Sequence, residues 1–525
     1  MRALRAPARA SVYAPTTRAL IFGLIAAAFA LYARTFAYPP LWDDHFYVEE
    51  QAFLRDPRAL AAVLDPRQFL RILPTANAAR PVWLFSVLLD RALLGWSFWA
   101  LRASSTLWYG VGAALLAALV WELTTDAAAA AAAGFLFVAH PLHAEVVEIV
   151  SFRADTLAFL FGVLALLLHL RAWRSEHPKP LRLAALAAFG LALLSKESAA
   201  AVVVLLPVVD SVACPAPPWR TRARVYAAFV LLLAAYLYYR TPRAGYESSA
   251  GPDVFTELAQ REPALFGPVS QPSDDWARAP VGLGSGRHRD PRPWDQDFSA
   301  PRTHLRTLVV VQGSNLLRLF WPWPLQGDYA PKTVRRWLDP RLAATLAGWM
   351  VLLGLAAAMR RRAPLLSAGL LWIPAALLPV SGIVAMRNLT ADRYLYFASA
   401  GVCLALSALV TAPFGRGTRA RRAAFILCGV VAAFWIELGQ MRLPDFRSDA
   451  AYFAATIAVD PDVPRARCNL GLAEWREGRL DAAETDLRAA LTLWPQSRQV
   501  RANLADLLQS RGRADEARAL LNAVP

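Results

Sequence analysis

Eleven apolar segments recur along the first 440 residues of this 525-residue chain. A segment placed in lipid must satisfy its backbone hydrogen bonds internally, so each is read as a helix. They cover residues 19–36, 99–123, 127–139, 151–170, 181–194, 199–212, 225–239, 343–359, 364–380, 393–411 and 423–438. The predicted fold class is all-α: a polytopic membrane domain with about eleven transmembrane helices. With 56% of residues apolar, a soluble core is the wrong model for the whole.

The net charge of +16 does not point to nucleic acid. Arginines gather in the turns between apolar segments, at 171–182, 215–224, 360–362 and 416–422, and at Arg2, Arg5, Arg9 and Arg18. Basic clusters of that kind mark cytoplasmic loops. The first apolar segment is a signal peptide or a retained span, and the retained span is preferred because no clean small-x-small cleavage site precedes Tyr38. The N-terminus is then cytoplasmic, and the loops carrying carboxylates, His and Lys share the opposite face. These are a first outer loop, 37–98, and a large outer loop, 241–340. Within the first, 51–64 and 68–73 read as short amphipathic helices. This parity requires 304–323, which carries Gln312, Asn315 and Arg318, to lie on the surface or re-enter; if it spans, the later topology inverts. Arg far outnumbers Lys, as in a GC-rich bacterial genome, which places the domain, 1–440, in a bacterial inner membrane. Cys214, Cys403, Cys428 and Cys468 have no metal-ligand spacing and fit no disulfide framework.

The last segment, 441–525, is of another kind. Asn469-Leu470, Gly478 and Ala483 return as Asn503-Leu504, Gly512 and Ala517, and Pro461 returns as Pro495. The 34-residue offset is the tetratricopeptide period. Residues 449–459 read as the second helix of a partial earlier repeat. So short an array is marginal alone and is expected to pack on the membrane domain or on a partner, on the non-cytoplasmic side.

Polar residues near lipid are costly and mark candidate sites. Asp43 and Asp44 leave the first span together, as a general base or as helix caps. His140, His143 and Glu145 stand at i, i+3 and i+5, a weak zinc pattern lacking a third good ligand and equally an ordinary polar loop. Arg153 and Asp155 open an apolar helix, and Lys196 and Glu197 interrupt two others; structural ion pairing explains each as readily as function. Arg393, beside Tyr394, is either a phosphate-binding fork or an interfacial anchor. Both signs of charge on one face suit a reaction in which a hydroxyl attacks and a phosphate leaves.

Trp42-Asp43-Asp44, Arg80-Pro81, His140-Pro141-Leu142-His143-Ala144-Glu145, Arg153-Ala154-Asp155, Ser195-Lys196-Glu197, Trp321 to Tyr329 and Asp392-Arg393-Tyr394-Leu395-Tyr396 follow one another in a specific order. In that order the chain resembles the transmembrane and tetratricopeptide-repeat O-mannosyltransferases and their bacterial relatives, a branch of the GT-C glycosyltransferases. The resemblance implies a GT-C-like membrane domain and a polyprenyl-phosphate-linked sugar as donor. It implies a protein or glycan acceptor on the periplasmic face and no metal or other cofactor. It makes Asp43 or Asp44 the base, with His140, His143 and Glu145 lining the site. Arg393, Lys196 and Arg153 become candidates for the lipid phosphate or for supporting pairs, with Arg80, Asp155, Glu197 and Tyr394 beside them. The repeat array is shorter than in the eukaryotic members, which questions protein recognition more than sugar transfer. Two rival readings are a non-catalytic scaffold recruiting proteins through its repeats, and an oligosaccharide ligase or polymerase.

Overall fold

The computed structural model of the protein describes residues 15–49, 52–55, 59–64, 80–212, 218–240, 301–383, 388–411 and 417–522. Among these residues the structure is helical, with no strand. The expected helix 68–73 and residues 241–300 of the large outer loop lie outside the described residues. Helices of nine residues or more are numbered. The membrane-domain series is α1 Pro15–Tyr32, α2 Pro81–Leu94, α3 Phe98–Thr124, α4 Ala127–Ala139, α5 Arg153–Arg174, α6 Pro178–Ser195 and α7 Ala201–Asp210. It continues with α8 Trp219–Tyr239, α9 Pro301–Phe320, α10 Pro340–Met359, α11 Pro364–Leu377, α12 Tyr396–Ser407 and α13 Thr418–Arg442. The tail adds α14 Asp449–Val459, α15 Pro464–Arg476, α16 Leu480–Leu493, α17 Arg498–Ser510 and α18 Ala514–Asn522.

Eight of these helices, counted with their flanking turns, are long and apolar enough to cross a membrane, so the protein is a multi-pass membrane protein. A ninth arises if α4 and Pro141–Glu148 form one span bent by 52° at His140, where Pro141 interrupts the hydrogen-bond ladder. The two remaining expected segments, α7 with 10 residues and α11 with 14, are shorter than the roughly 20 residues a bilayer core asks for. α9 is as long as a span but is not among the apolar candidates.

Helices α3, α5 and α12 lie deep in the bundle, whereas α8, α10 and α13 keep apolar side chains such as Leu231, Met350 and Ile426 exposed, as a lipid-facing layer requires. Small residues permit the closest contact. A Cβ on Gly401 would come within 2.6 Å of the Gly369 carbonyl, so α11 and α12 touch through their backbones.

Side-chain pairs show that the helix ends form two groups. At one end Glu122 meets Arg174, and Asp126 meets Arg421. At the other lie the starts of α3, α5 and α12 and the ends of α6 and α13. α9 bonds to this second end along its length: Arg306 to the Val334 carbonyl, Gln312 to that of Ser381, Arg318 to Asp392. Those contacts suit a helix lying along the bundle end.

The first outer loop has its own small core. Val48, Leu54, Ala59 and Val63 bury against Trp83, Leu84, Val87 and Leu88 of α2 and against Leu101, Ala154 and Leu157. Within the expected 51–64 helix, the described pieces are Ala52–Arg55 and Ala59–Leu64.

The tail forms tetratricopeptide repeats. Gly478 and Gly512, one period apart, end α15 and α17 at φ of 80° and 78°, where a Cβ would be strained. Leu487, Val500, Leu504 and Leu508 fill the core between them. No linker separates this array from the membrane helices: α13 passes through a 3-10 turn, Leu443–Arg447, directly into α14.

Candidate functional site

The loop after α1 is fixed before it reaches the two aspartates. Arg102, buried near the start of α3, donates to the carbonyls of Glu148 (3.0 Å), Thr35 (3.4 Å), Tyr38 and Pro39 (2.6 Å). An Arg inside an apolar span is expensive unless its donors are met, and here the acceptors are backbone carbonyls of that loop and of Glu148. This residue was not singled out from sequence; an Arg within the 99–123 segment is the signal that marks it.

Beyond that clamp the two aspartates separate. Asp44 is fully buried, and its oxygens accept from the backbone N–H groups of Val150 (3.0 Å) and Ser151 (2.7 Å). It caps the 3-10 turn that leads into α5. Burial pushes its pKa up to about 6, against the pull of those N–H groups and of Arg102. Asp43 is half-buried and lies close enough to Arg393 and Arg465 to bear on the charge of both. The preceding residue, Trp42, has φ 47°, a conformation rarely taken by a residue with a Cβ.

Around Asp43 several predicted residues converge. The Arg393 backbone N–H donates to Glu145 Oε2 (2.9 Å), and its guanidinium donates to Oε1 (2.7 Å). The same guanidinium lies over Phe152 at 4.2 Å, Tyr394 at 5.3 Å and Trp42 at 5.5 Å. Tyr394 reaches on to Lys196, whose ammonium is 5.7 Å from its ring and donates to both Asp155 oxygens (2.8 and 2.6 Å). Burial lowers the Lys196 pKa, and Asp155 opposes the shift. Arg80 pairs with Glu197 at 3.6 Å near Lys196, whose charge both residues influence.

Three predicted residues do not face this cluster. Arg153 is fully buried and spends its guanidinium on Asp90 (2.5 Å), Ser105 (2.9 Å), Ser86 (3.3 Å) and the Leu101 carbonyl (2.5 Å), binding α5 to α2 and α3. His143 bridges Tyr109 (2.9 Å) and Ser399 (2.7 Å) inside the bundle. His140 meets the Leu319 carbonyl (3.2 Å) and packs against the Trp435 ring, 4.4 Å between centres. Both imidazoles have two partners and serve packing. Among the described residues, no group of three or more His, Cys, Asp or Glu is placed to hold a metal ion.

A second set of buried polar pairs gathers on Asp392, next in the chain to Arg393. Asp392 accepts from Arg318 (3.1 Å), Tyr329 (2.5 Å) and Arg442 (3.2 Å), so one buried carboxylate serves two arginines. The tail enters the same region. The Tyr452 hydroxyl of α14 donates to Glu145 (3.4 Å), and the Gly327 N–H donates to Thr456 (3.0 Å). Arg465 of α15 pairs with Asp328, donates to Asn388 (2.7 Å) and lies 5.9 Å from the Trp42 ring. These partners are 50 to more than 400 positions apart in the chain, and no local pattern links them.

Residues 80–239 match the family model described as dolichyl-phosphate-mannose-protein mannosyltransferase. Residues 440–498 and 474–525 match two tetratricopeptide-repeat models. The first match contains Arg80, His140, His143, Glu145, Arg153, Asp155, Lys196 and Glu197 and leaves Asp43, Asp44, Arg393 and Tyr394 outside it. No curated protein and no solved structure matches the chain.

Proposed function

We propose that this chain, a tetratricopeptide-bearing relative of the protein mannosyltransferases of the GT-C class, moves a sugar from a polyprenyl-phosphate donor to an acceptor hydroxyl, with Asp43 as general base. The reaction class rests on the mannosyltransferase match. The base assignment rests on one observation: of two adjacent aspartates, Asp44 is fully buried with both oxygens capping a turn, while Asp43 is half-buried and close enough to Arg393 and Arg465 to bear on their charge.

In this reading Asp43 takes the acceptor hydroxyl proton as that oxygen bonds to the anomeric carbon. The bond from that carbon to the phosphate oxygen breaks, the electron pair leaves with the lipid phosphate, and the carbon inverts. The departing phosphate gains a negative charge. Arg393 and Lys196 are the cations beside it, each already held in place by a carboxylate. A fixed donor costs no reorganisation when the charge develops, which is the use of the Glu145 and Asp155 pairs.

The site occupies the bundle end opposite Glu122–Arg174 and Asp126–Arg421. With the Arg-rich turns cytoplasmic, it faces the periplasm of a bacterial inner membrane, where lipid-linked donor and acceptor meet. The repeats then offer a surface for a protein acceptor or partner.

The test is transfer from tritiated polyprenyl-phosphate mannose in membranes carrying Asp43→Asn or Asp44→Asn. Loss of a general base costs about 10²–10⁴-fold, and that loss is expected for Asp43→Asn. Asp44→Asn should mainly lower stability, by about 1–3 kcal/mol for one unmet backbone N–H. Parental transfer by Asp43→Asn would overturn the assignment.

A further inference from the structure

The residues on either side of the aspartate pair are both held by one side chain of the tail. Asp449 Oδ1 accepts from the Trp42 backbone N–H at 2.8 Å, and its Oδ2 meets His45 Nε2 at 2.9 Å. Asp43 and Asp44 lie between these two tethers. Asp449 is itself well placed, in the first turn of α14, where Ser448 caps the helix by accepting from the Ala451 N–H (3.2 Å). Arg476 of the first repeat stands 3.5 Å from its carboxylate.

The Trp42 backbone needs such a hold. At φ 47° an aromatic residue pays a conformational cost that persists only where its surroundings over-determine it. Those surroundings come largely from the tail. The indole has Phe152 on one side and Tyr452 and Phe453 of α14 on others, each with ring centres 5.8 Å away. Arg465, which bears on the charge of Asp43, also belongs to the tail.

We propose that Asp449 is a positioning residue for Asp43, so that the C-terminal tail is part of the transfer site and not an appended binding module. The inference rests on the reading of Asp43 as the base. Asp449 itself touches no reacting atom. It fixes the turn from which Asp43 projects, and without it Trp42 relaxes toward negative φ and carries Asp43 away from the acceptor hydroxyl.

The experiment uses the full-length protein in membrane vesicles from cells lacking the parental gene, with tritiated polyprenyl-phosphate mannose as probe donor and the endogenous acceptor. Asp449→Ala removes both acceptors, the one that holds the Trp42 N–H and the one that meets His45. It is expected to lower kcat by at least about tenfold with the donor KM within about twofold, the split that marks a loss felt in the transition state. Asp449→Asn, which keeps the acceptor for the Trp42 N–H, should recover part of that rate. Asp481→Asn, at a 92%-exposed tail carboxylate, should transfer as the parent does. If Asp449→Ala fails to accumulate, His45→Gln, which weakens one tether, carries the test and should lower kcat several-fold. A folded Asp449→Ala or His45→Gln that transfers at the parental rate, beside an inactive Asp43→Asn, overturns this inference alone. Parental transfer by Asp43→Asn overturns the base assignment, and this inference with it.

Discussion

Arg393 gives Glu145 two hydrogen bonds, one from its backbone N–H and one from its guanidinium, across 248 positions of sequence. The carboxylate therefore fixes both the start of the α12 region and the direction of the cation. Glu145→Gln keeps the size but removes the carboxylate that pairs with the Arg393 guanidinium. Removing one partner of a buried pair costs about 3–5 kcal/mol. The expected result is a clearly lower melting temperature in detergent and a more than tenfold drop in transfer. Unchanged melting and transfer would show that the pair carries neither load.

His45 makes the tail junction sensitive to pH. Burial acts to lower its pKa, but the bond to Asp449, helped by Glu49, outweighs this and raises it to about 9. Arg476, near Asp449, acts in the lowering direction. A raised folded value means the folded state holds its proton longer than the unfolded one. The stabilisation is fully present below about pH 6.5, the ordinary imidazole value, and is lost as pH rises through about 9. Melting followed from pH 6 to 10 should fall over that window in the parent. His45→Gln should flatten the fall, and an identical profile in both would dismiss the junction as the cause.

Arg153 and Asp90 test the opposite case, a charged pair that only supports the bundle. Both are buried, and the pair joins α5 to α2. Arg153→Met alone leaves Asp90 buried without its partner and should cost about 3–5 kcal/mol. Adding Asp90→Leu should restore most of that loss, because replacing a buried pair by apolar groups is often neutral. Transfer per folded molecule should stay near parental in the double variant. A specific loss of donor binding there would return Arg153 to the site.

The helical elements were legible because their signals are local. Apolar runs of span length, Arg-rich turns and a 34-residue repeat each act within a window of the chain. The site was legible in part, since charged residues beside lipid stand out by cost. Asp43, Glu145, Lys196 and Arg393 stand out that way. So do Arg153, His140 and His143, whose hydrogen bonds lie inside the bundle. A buried polar group is expensive whatever it does, so cost alone does not separate scaffold from site.

Taken alone, the sequence determined a chain that must fold as membrane helices with a repeat array at its end, and it placed two aspartates at the mouth of the first span. Tertiary structure decided how those aspartates differ: Val150 and Ser151 occupy the buried Asp44, while the half-buried Asp43 comes close enough to Arg393 and Arg465 to bear on their charge. It also decided that the tail reaches this mouth, through Asp449, Tyr452 and Arg465. The physical reason is range. Hydrophobic periodicity acts between neighbours a few residues apart, whereas a carboxylate's partners are whichever donors the packed helices bring within about 3 Å.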